Sequence, residues 1–217
     1  MSDLDAAIEF ASNPDPRCPC VLLLDTSASM GGAPVEALNA GLRAFQVDIQ
    51  GDPLAQRRVE VALVTFGGTV QTVQDFVTAG QFEAPTLTAE GATPLGAALD
   101  LALDMVRARK ATYKANGIAY YRPWIFLLTD GEPTDSWQQA AGRVRAEEAA
   151  NGLAFFAVGV EGANMARLAQ IAVRPPLKLV GLQFVELFVW LSRSQQRVSS
   201  TKVGDQTALP PIGWAAV

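Results

Sequence analysis

Residues 21–30, VLLLDTSASM, run four apolar side chains into Asp25 and then place Ser27 and Ser29 at alternate positions beyond it. A continuous apolar run that stops at polar loop residues is the pattern of a strand buried on both faces, because such a strand has no solvent side to mark by alternation. Residues 59–66, 124–128 and 153–160 repeat that pattern, and 177–180 is a shorter fifth candidate. Together they predict a parallel sheet. Residues 70–77 are more polar and follow Phe66 after only Gly67, Gly68 and Thr69, a turn too short for a parallel crossover, so they are expected to form an antiparallel edge strand.

Helical patterns fill the intervals at 34–49, 94–115, 134–150, 164–172 and 184–198. Alternating strands and helices predict an α/β, doubly wound, mostly parallel sheet with one antiparallel edge strand and helices on both faces, a Rossmann-like architecture. The expected organisation is an N-terminal extension at 1–17, one domain at 18–198, and a tail at 199–217 whose LPPIGW segment docks Trp214 on the domain. The helix segment FVELFVWL, 184–191, is apolar nearly all round, which fits core packing first and a partner surface second.

The 217 residues are 49% hydrophobic and 18% charged, with a net charge of −5, the balance of a globular domain. An acidic chain lacks the clustered Lys and Arg that phosphate contacts require, so no nucleic-acid partner is expected. No apolar run approaches the ~20 residues of a bilayer span, and MSDLDAAIEF has neither the basic nor the apolar region of a secretory signal. The expectation is a protein without a membrane partner, located in the cytoplasm. Arg107, Arg109, Lys110 and Lys114 fall late in a helix and are expected to face water there. Cys18 and Cys20 flank Pro19 and are expected on opposite faces of an extended segment, unbridged, reduced and half buried. The chain contains no histidine, which excludes Ser-His-Asp and Cys-His nucleophilic sites.

Asp25 ends the first strand, Asp130 follows the 124–128 strand in IFLLTDGEPTD, and Thr93 in GATPLG precedes Pro94 at a helix start. Ligands of open α/β sheets bind beyond the carboxyl ends of the strands, where the winding reverses. If the two aspartate strands are neighbours at that point, Asp25, Ser27, Ser29, Thr93 and Asp130 converge. Two carboxylates and three hydroxyls form an all-oxygen set suited to Mg²⁺ or Mn²⁺, with Ca²⁺ as a further candidate, and leave a coordination position for an outside carboxylate. Other readings stay open for single members: Thr93 as an N-cap ahead of Pro94, and the serines as loop hydroxyls bonding to backbone. Glu132 and Asp135 are expected to serve the N-terminus of the helix that follows them, and Gly31 and Gly32 to let the loop bend.

These five residues match, without substitution, the D-x-S-x-S, threonine and T-D-G pattern that the sequence resembles: the metal-ion-dependent adhesion site of the von Willebrand factor A domain. The resemblance covers roughly residues 18 to 195. It implies a metal-dependent protein-protein interaction module with no catalytic residues, whose partner presents an acidic side chain. Within that superfamily RCPCVLLLDTSASM, VTFGG, GATPLG, YYRPWIFLLTDGEPTD and FFAVGVEG look like bacterial TerY/YegL-type proteins associated with tellurium-resistance and related stress or defence gene clusters. That resemblance implies a kinase or a PP2C-type phosphatase of the same cluster as candidate partner. The rival functions are a Mg²⁺-dependent phosphohydrolase of the haloacid dehalogenase type, which needs a second aspartate where this chain has Ser27, and an adaptor for an AAA-type ATPase.

Overall fold

The computed structural model describes residues 3–130 and 132–216. Residues 1 and 2 of the expected extension and residue 217 of the expected tail lie outside the described residues. Among the described residues seven strands form one sheet in the order β3-β2-β1-β4-β5-β6-β7. β1 (Cys18–Asp25), β2 (Val59–Gly67), β4 (Trp124–Thr129), β5 (Ala154–Gly159) and β6 (Leu177–Leu179) run parallel. β3 (Thr69–Thr78) is the antiparallel strand at one edge, and β7 (Ala215–Ala216) is antiparallel at the other. The fold is the doubly wound α/β arrangement expected, with β7 as an addition that two alanines could not announce.

The helices are α1 (Asp3–Ser12), α2 (Ala33–Gln50), α3 (Ala55–Arg58), α4 (Leu95–Ala115), α5 (Gln138–Ala149), α6 (Met165–Ile171) and α7 (Phe184–Ser200). None among the described residues is long and apolar enough to cross a membrane. All of β1 is buried because both its faces are covered. Leu22 and Leu24 join Leu38 and Phe45 of α2 and Leu187 and Phe188 of α7, whereas Val21 and Leu23 join Leu99 of α4, Val144 of α5 and Leu168 of α6. Each fully buried side chain of this kind contributes about 1.5–3 kcal/mol. α2 and α7 approach so closely that a Cβ on Gly41 would lie 2.6 Å from the Phe188 ring and 2.9 Å from the Phe184 carbonyl oxygen. Thus α7 spends most of its apolar surface on the core. The tail returns to the same helix, where the Trp214 ring sits 5.5 Å from that of Trp190 and its carbonyl accepts the Val180 amide.

Two local expectations are corrected. Cys18 and Cys20 share one face, since residues two apart on a strand point the same way, and both are free and completely buried, not half buried. Burial pushes the Cys20 thiol up to about 12, which makes it inert. Arg109 does not face water. It is 4% exposed, and its Nε and Nη2 donate to the Glu60 carboxylate at 2.7 and 2.8 Å.

Glu60 on β2 is itself fully buried and also accepts Arg17 Nε at 2.9 Å and the Tyr113 hydroxyl. α1 closes this network: Glu9 accepts Arg109 Nη2 at 2.8 Å, and the Phe10 ring lies 5.2 Å from both guanidiniums. Burial alone would lower the proton affinity of Arg109, but the hydrogen bonds and charge of Glu60 outweigh it and hold the guanidinium above its ordinary range. The helix-face reading failed because a carboxylate 49 positions away in sequence competes with water for the same guanidinium.

Candidate metal centre

β1 pairs with β2 on one side and β4 on the other, both parallel, so the winding reverses at β1. Register places Leu24 beside Leu128, which sets Asp25 level with Thr129 and brings Asp130 over the same crevice. From Asp25 a chain of bonds crosses to Asp130. The Ser27 amide donates to Asp25 Oδ1 at 2.9 Å, the Ser27 and Ser29 hydroxyls are 3.0 Å apart, and Ser29 Oγ donates to Asp130 Oδ1 at 2.8 Å. Thr129 Oγ1 donates to Asp25 Oδ2. A 3₁₀ turn, Ala28–Met30, carries Ser29 outward while Met30 plugs into the core beneath it. Gly32, at φ 76°, supplies the left-handed bend that starts α2; Gly31 keeps an ordinary negative φ.

Thr93 is held in place by its backbone. Its amide donates to Thr134 Oγ1 at 3.1 Å and its carbonyl accepts the Thr134 amide at 2.9 Å, tying the loop before α4 to the loop after β4. No hydrogen bond joins Thr93 to the other four candidates among the described residues. The same loop is laced to the Asp25 loop by Glu90 N to Thr26 O at 2.8 Å and Ala28 N to Gly91 O at 3.0 Å, and clamped by Asn39 on both polar groups of Leu87. Four candidates are therefore linked directly, and the fifth is buried at an adjoining loop.

The two acidic neighbours act differently from the sequence expectation. Asp135 caps α4, accepting the Gly96 and Ala97 amides at 2.9 Å each, and Glu132 turns to α6, where it meets Asn164 Nδ2 at 2.6 Å and the Arg167 guanidinium. Neither serves α5, which begins only at Gln138. Asp135 thus fills the capping role that sequence alone allows for Thr93. Asn39, Thr129 and Thr134 are the supporting residues that sequence reasoning missed. Of these, Thr129, next to Asp130, had a signal in its closeness to the motif.

Burial raises the proton affinity of the Asp25 carboxyl, against hydrogen bonds from Ser27 and Thr129 that lower it. Burial likewise raises Asp130, Ser29 lowers it, and the charge of Asp25 raises it further. Two carboxylates drawn to one crevice at the cost of mutual repulsion and desolvation are a donor set that a divalent cation relieves. The fit is of the hydroxyl-rich kind, because no group of three His, Cys, Asp or Glu comes together among the described residues. An all-oxygen shell with two carboxylates suits Mg²⁺ or Mn²⁺.

β2 comes unusually close to the metal loop. A Cβ on Gly67 would lie 2.1 Å from the Thr26 carbonyl oxygen, one residue from Asp25. Gly67→Ala must push that loop away and is expected to cost about 1–3 kcal/mol, as overpacking does, and to weaken Mn²⁺ binding. Urea unfolding together with calorimetric Mn²⁺ titration checks both; unchanged values for both would show that the loop gives way freely.

Residues 20–181 match the family model described as von Willebrand factor type A domain. No curated protein matches the chain in sequence. Among solved structures the chain is similar to the pilus adhesin SpaC from Lactobacillus rhamnosus GG, with TM-score 0.68 and 18% identity over 84% of this chain and 30% of that one. Manganese-loaded TRAP protein from Plasmodium vivax gives TM-score 0.55 and 18% identity, covering 80% of this chain and 73% of that one. Proximal thread matrix protein 1 from the mussel byssus, with a zinc occupied MIDAS motif, gives 0.57 and 17%, covering 84% and 48%. The chain spans less than half the length of the adhesin and the byssus protein. With three quarters of its length matched by the family model and the doubly wound sheet in place, the chain belongs to the von Willebrand factor type A domain family.

Proposed function

We propose that this domain is a divalent-metal-dependent protein-interaction module. In it Asp25, Ser27, Ser29, Thr93 and Asp130 hold Mg²⁺ or Mn²⁺, and the cation captures a carboxylate from a partner protein. The observation that carries the reading is the hydrogen-bonded path from Asp25 through Ser27 and Ser29 to Asp130 across the reversal point of the sheet. A manganese-loaded relative and one with zinc at its MIDAS motif support a cation at this place. The cation supplies Lewis acidity toward the incoming carboxylate. The chain's own residues orient it, with Met30 and the Asn39 clamp keeping both loops in position. A catalytic role finds little support: the position two beyond Asp25, where a phosphohydrolase needs its general acid, is Ser27.

The proposal extends to a bacterial tellurium-resistance, stress or defence system, with a kinase or phosphatase of the same gene cluster as partner and the cytoplasm as location. The support for this finer assignment is the motif resemblance alone. The test is a pull-down from native cell extract in Mg²⁺ and in EDTA, run with wild-type protein and Thr93→Ala. The expected result is a partner retained in Mg²⁺, released by EDTA, and held several-fold more weakly by Thr93→Ala, which removes one oxygen ligand and no charge. The same proteins bound in EDTA as in Mg²⁺ would refute metal-dependent capture.

A further inference from the structure

A polar cavity of about 210 Å³ adjoins the metal loop, lined by Thr65, Thr69 and Gln71 of the β2–β3 hairpin and by Thr26, Thr88 and Glu90. Thr26 directly follows the candidate ligand Asp25, and its carbonyl accepts the Glu90 amide at 2.8 Å. Cavity and metal centre therefore share one loop. The volume equals about seven waters at about 30 Å³ each, and about half of a single helical turn about 10 Å across and about 5.4 Å tall. It has room for one side chain and not for a backbone element.

The lining is rich in oxygen and carries a single charge. Thr26 and Thr65 are 6% and 7% exposed, yet neither hydroxyl has a hydrogen-bond partner among the described residues. The exposed Glu90 carboxylate likewise has neither hydrogen bond nor ion pair among the described residues, whereas Glu60, Glu132 and Glu148 each meet an arginine. No lysine or arginine lines the cavity. A carboxylate only accepts hydrogen bonds, while an ammonium or guanidinium brings several donors and no acceptor, so a cationic side chain satisfies Glu90 and the hydroxyls together. With a divalent cation in place, Asp25 and Asp130 cancel its charge, and Glu90 remains as the uncompensated charge beside it.

We infer that this cavity receives a lysine or arginine side chain of the partner protein, next to the carboxylate that the metal captures. The partner then presents an acid and a base side by side. For the acid this rests on the metal-dependent reading above; for the base it rests on Glu90 and the threonine hydroxyls.

The base is read first by itself. The ¹⁵N-labelled full chain in saturating Mg²⁺ is titrated with n-butylguanidinium and with neutral n-butylurea at constant ionic strength. The guanidinium is expected to shift the amide signals of Thr69, Gln71, Thr88 and Glu90, and the urea to leave them in place. Glu90→Gln should weaken the guanidinium at least about fivefold, as loss of a charge-assisted hydrogen bond does. Glu161→Gln, which removes an exposed acid outside the cavity, should change it less than about twofold. Acid and base together are read by fluorescence anisotropy in Mg²⁺ with labelled acetyl-Lys-Gly-Asp-Gly-Lys-amide, whose glycines leave the spacing free. It is expected to bind at least about fivefold more tightly than its Gln-for-Lys counterpart, and Glu90→Gln to abolish that difference. Equal shifts by guanidinium and urea, equal losses in Glu90→Gln and Glu161→Gln, no binding of the lysine peptide, or a lysine preference that survives Glu90→Gln would each overturn the proposal. Calorimetric Mn²⁺ uptake, which Glu90→Gln should leave unchanged, reports the metal separately. A chain that takes up no Mn²⁺ yet shifts on guanidinium would refute the metal reading and uphold the site for the base.

Discussion

Asp25→Asn is expected to abolish Mg²⁺ and Mn²⁺ binding while leaving the domain folded. Asparagine keeps the shape and an oxygen to accept the Ser27 amide, so the loop geometry survives, but the set loses one of its two carboxylates. In the wild type, a cation at a hundred times its dissociation constant should stabilise the fold by about 2.7 kcal/mol at neutral pH. The pH dependence has a definite sign. Asp25 and Asp130 both titrate above their ordinary range in the metal-free fold. Their contribution to metal-free stability is fully present below the unfolded value of about 4 and is lost as pH rises through the raised folded values. The cation restores it in that upper range, and the restoring effect fades on acidification as protons compete for the same oxygens. Thermal unfolding with and without Mn²⁺, at neutral and acidic pH, tests this. A wild-type shift that persists in Asp25→Asn would remove Asp25 from the site.

Glu60→Ala should be the most damaging single substitution outside the metal loops, lowering the unfolding free energy by about 3–5 kcal/mol. It removes the buried carboxylate shared by Arg17 at 0% and Arg109 at 4% exposure and by the Tyr113 hydroxyl, and leaves Glu9, on the rim, as the carboxylate beside Arg109. Against a domain stability of about 5–15 kcal/mol, that is a large fraction. The contrast is Arg143→Ala, which breaks pairs with Asp100 and Asp104 at the surface and should cost at most about 1 kcal/mol. Urea unfolding of the two variants side by side decides. Equal, small losses would mean that the buried network adds no stability beyond an ordinary surface pair.

The sequence by itself determines the sheet and the candidate ligands' local grouping. Runs such as VLLL and WIFLL have no polar alternation because both faces are to be covered, and that requirement is written in consecutive residues. The spacing of Asp25, Ser27 and Ser29 is likewise local, so a five-residue stretch suffices to show it. The tertiary structure alone decides which distant groups meet. Asp25 reaches Asp130 because β1 and β4 are neighbours in register, and Asp135 caps α4 rather than α5 because its loop crosses the start of the earlier helix. Arg109 leaves the solvent because Glu60 on β2 and Glu9 on α1 arrive beside it. Two alanines become β7 because Trp214 anchors the returning tail to Trp190. In each case the deciding energy is that of a buried polar group or aromatic ring whose partner lies far along the chain, a quantity that no local pattern of residues encodes.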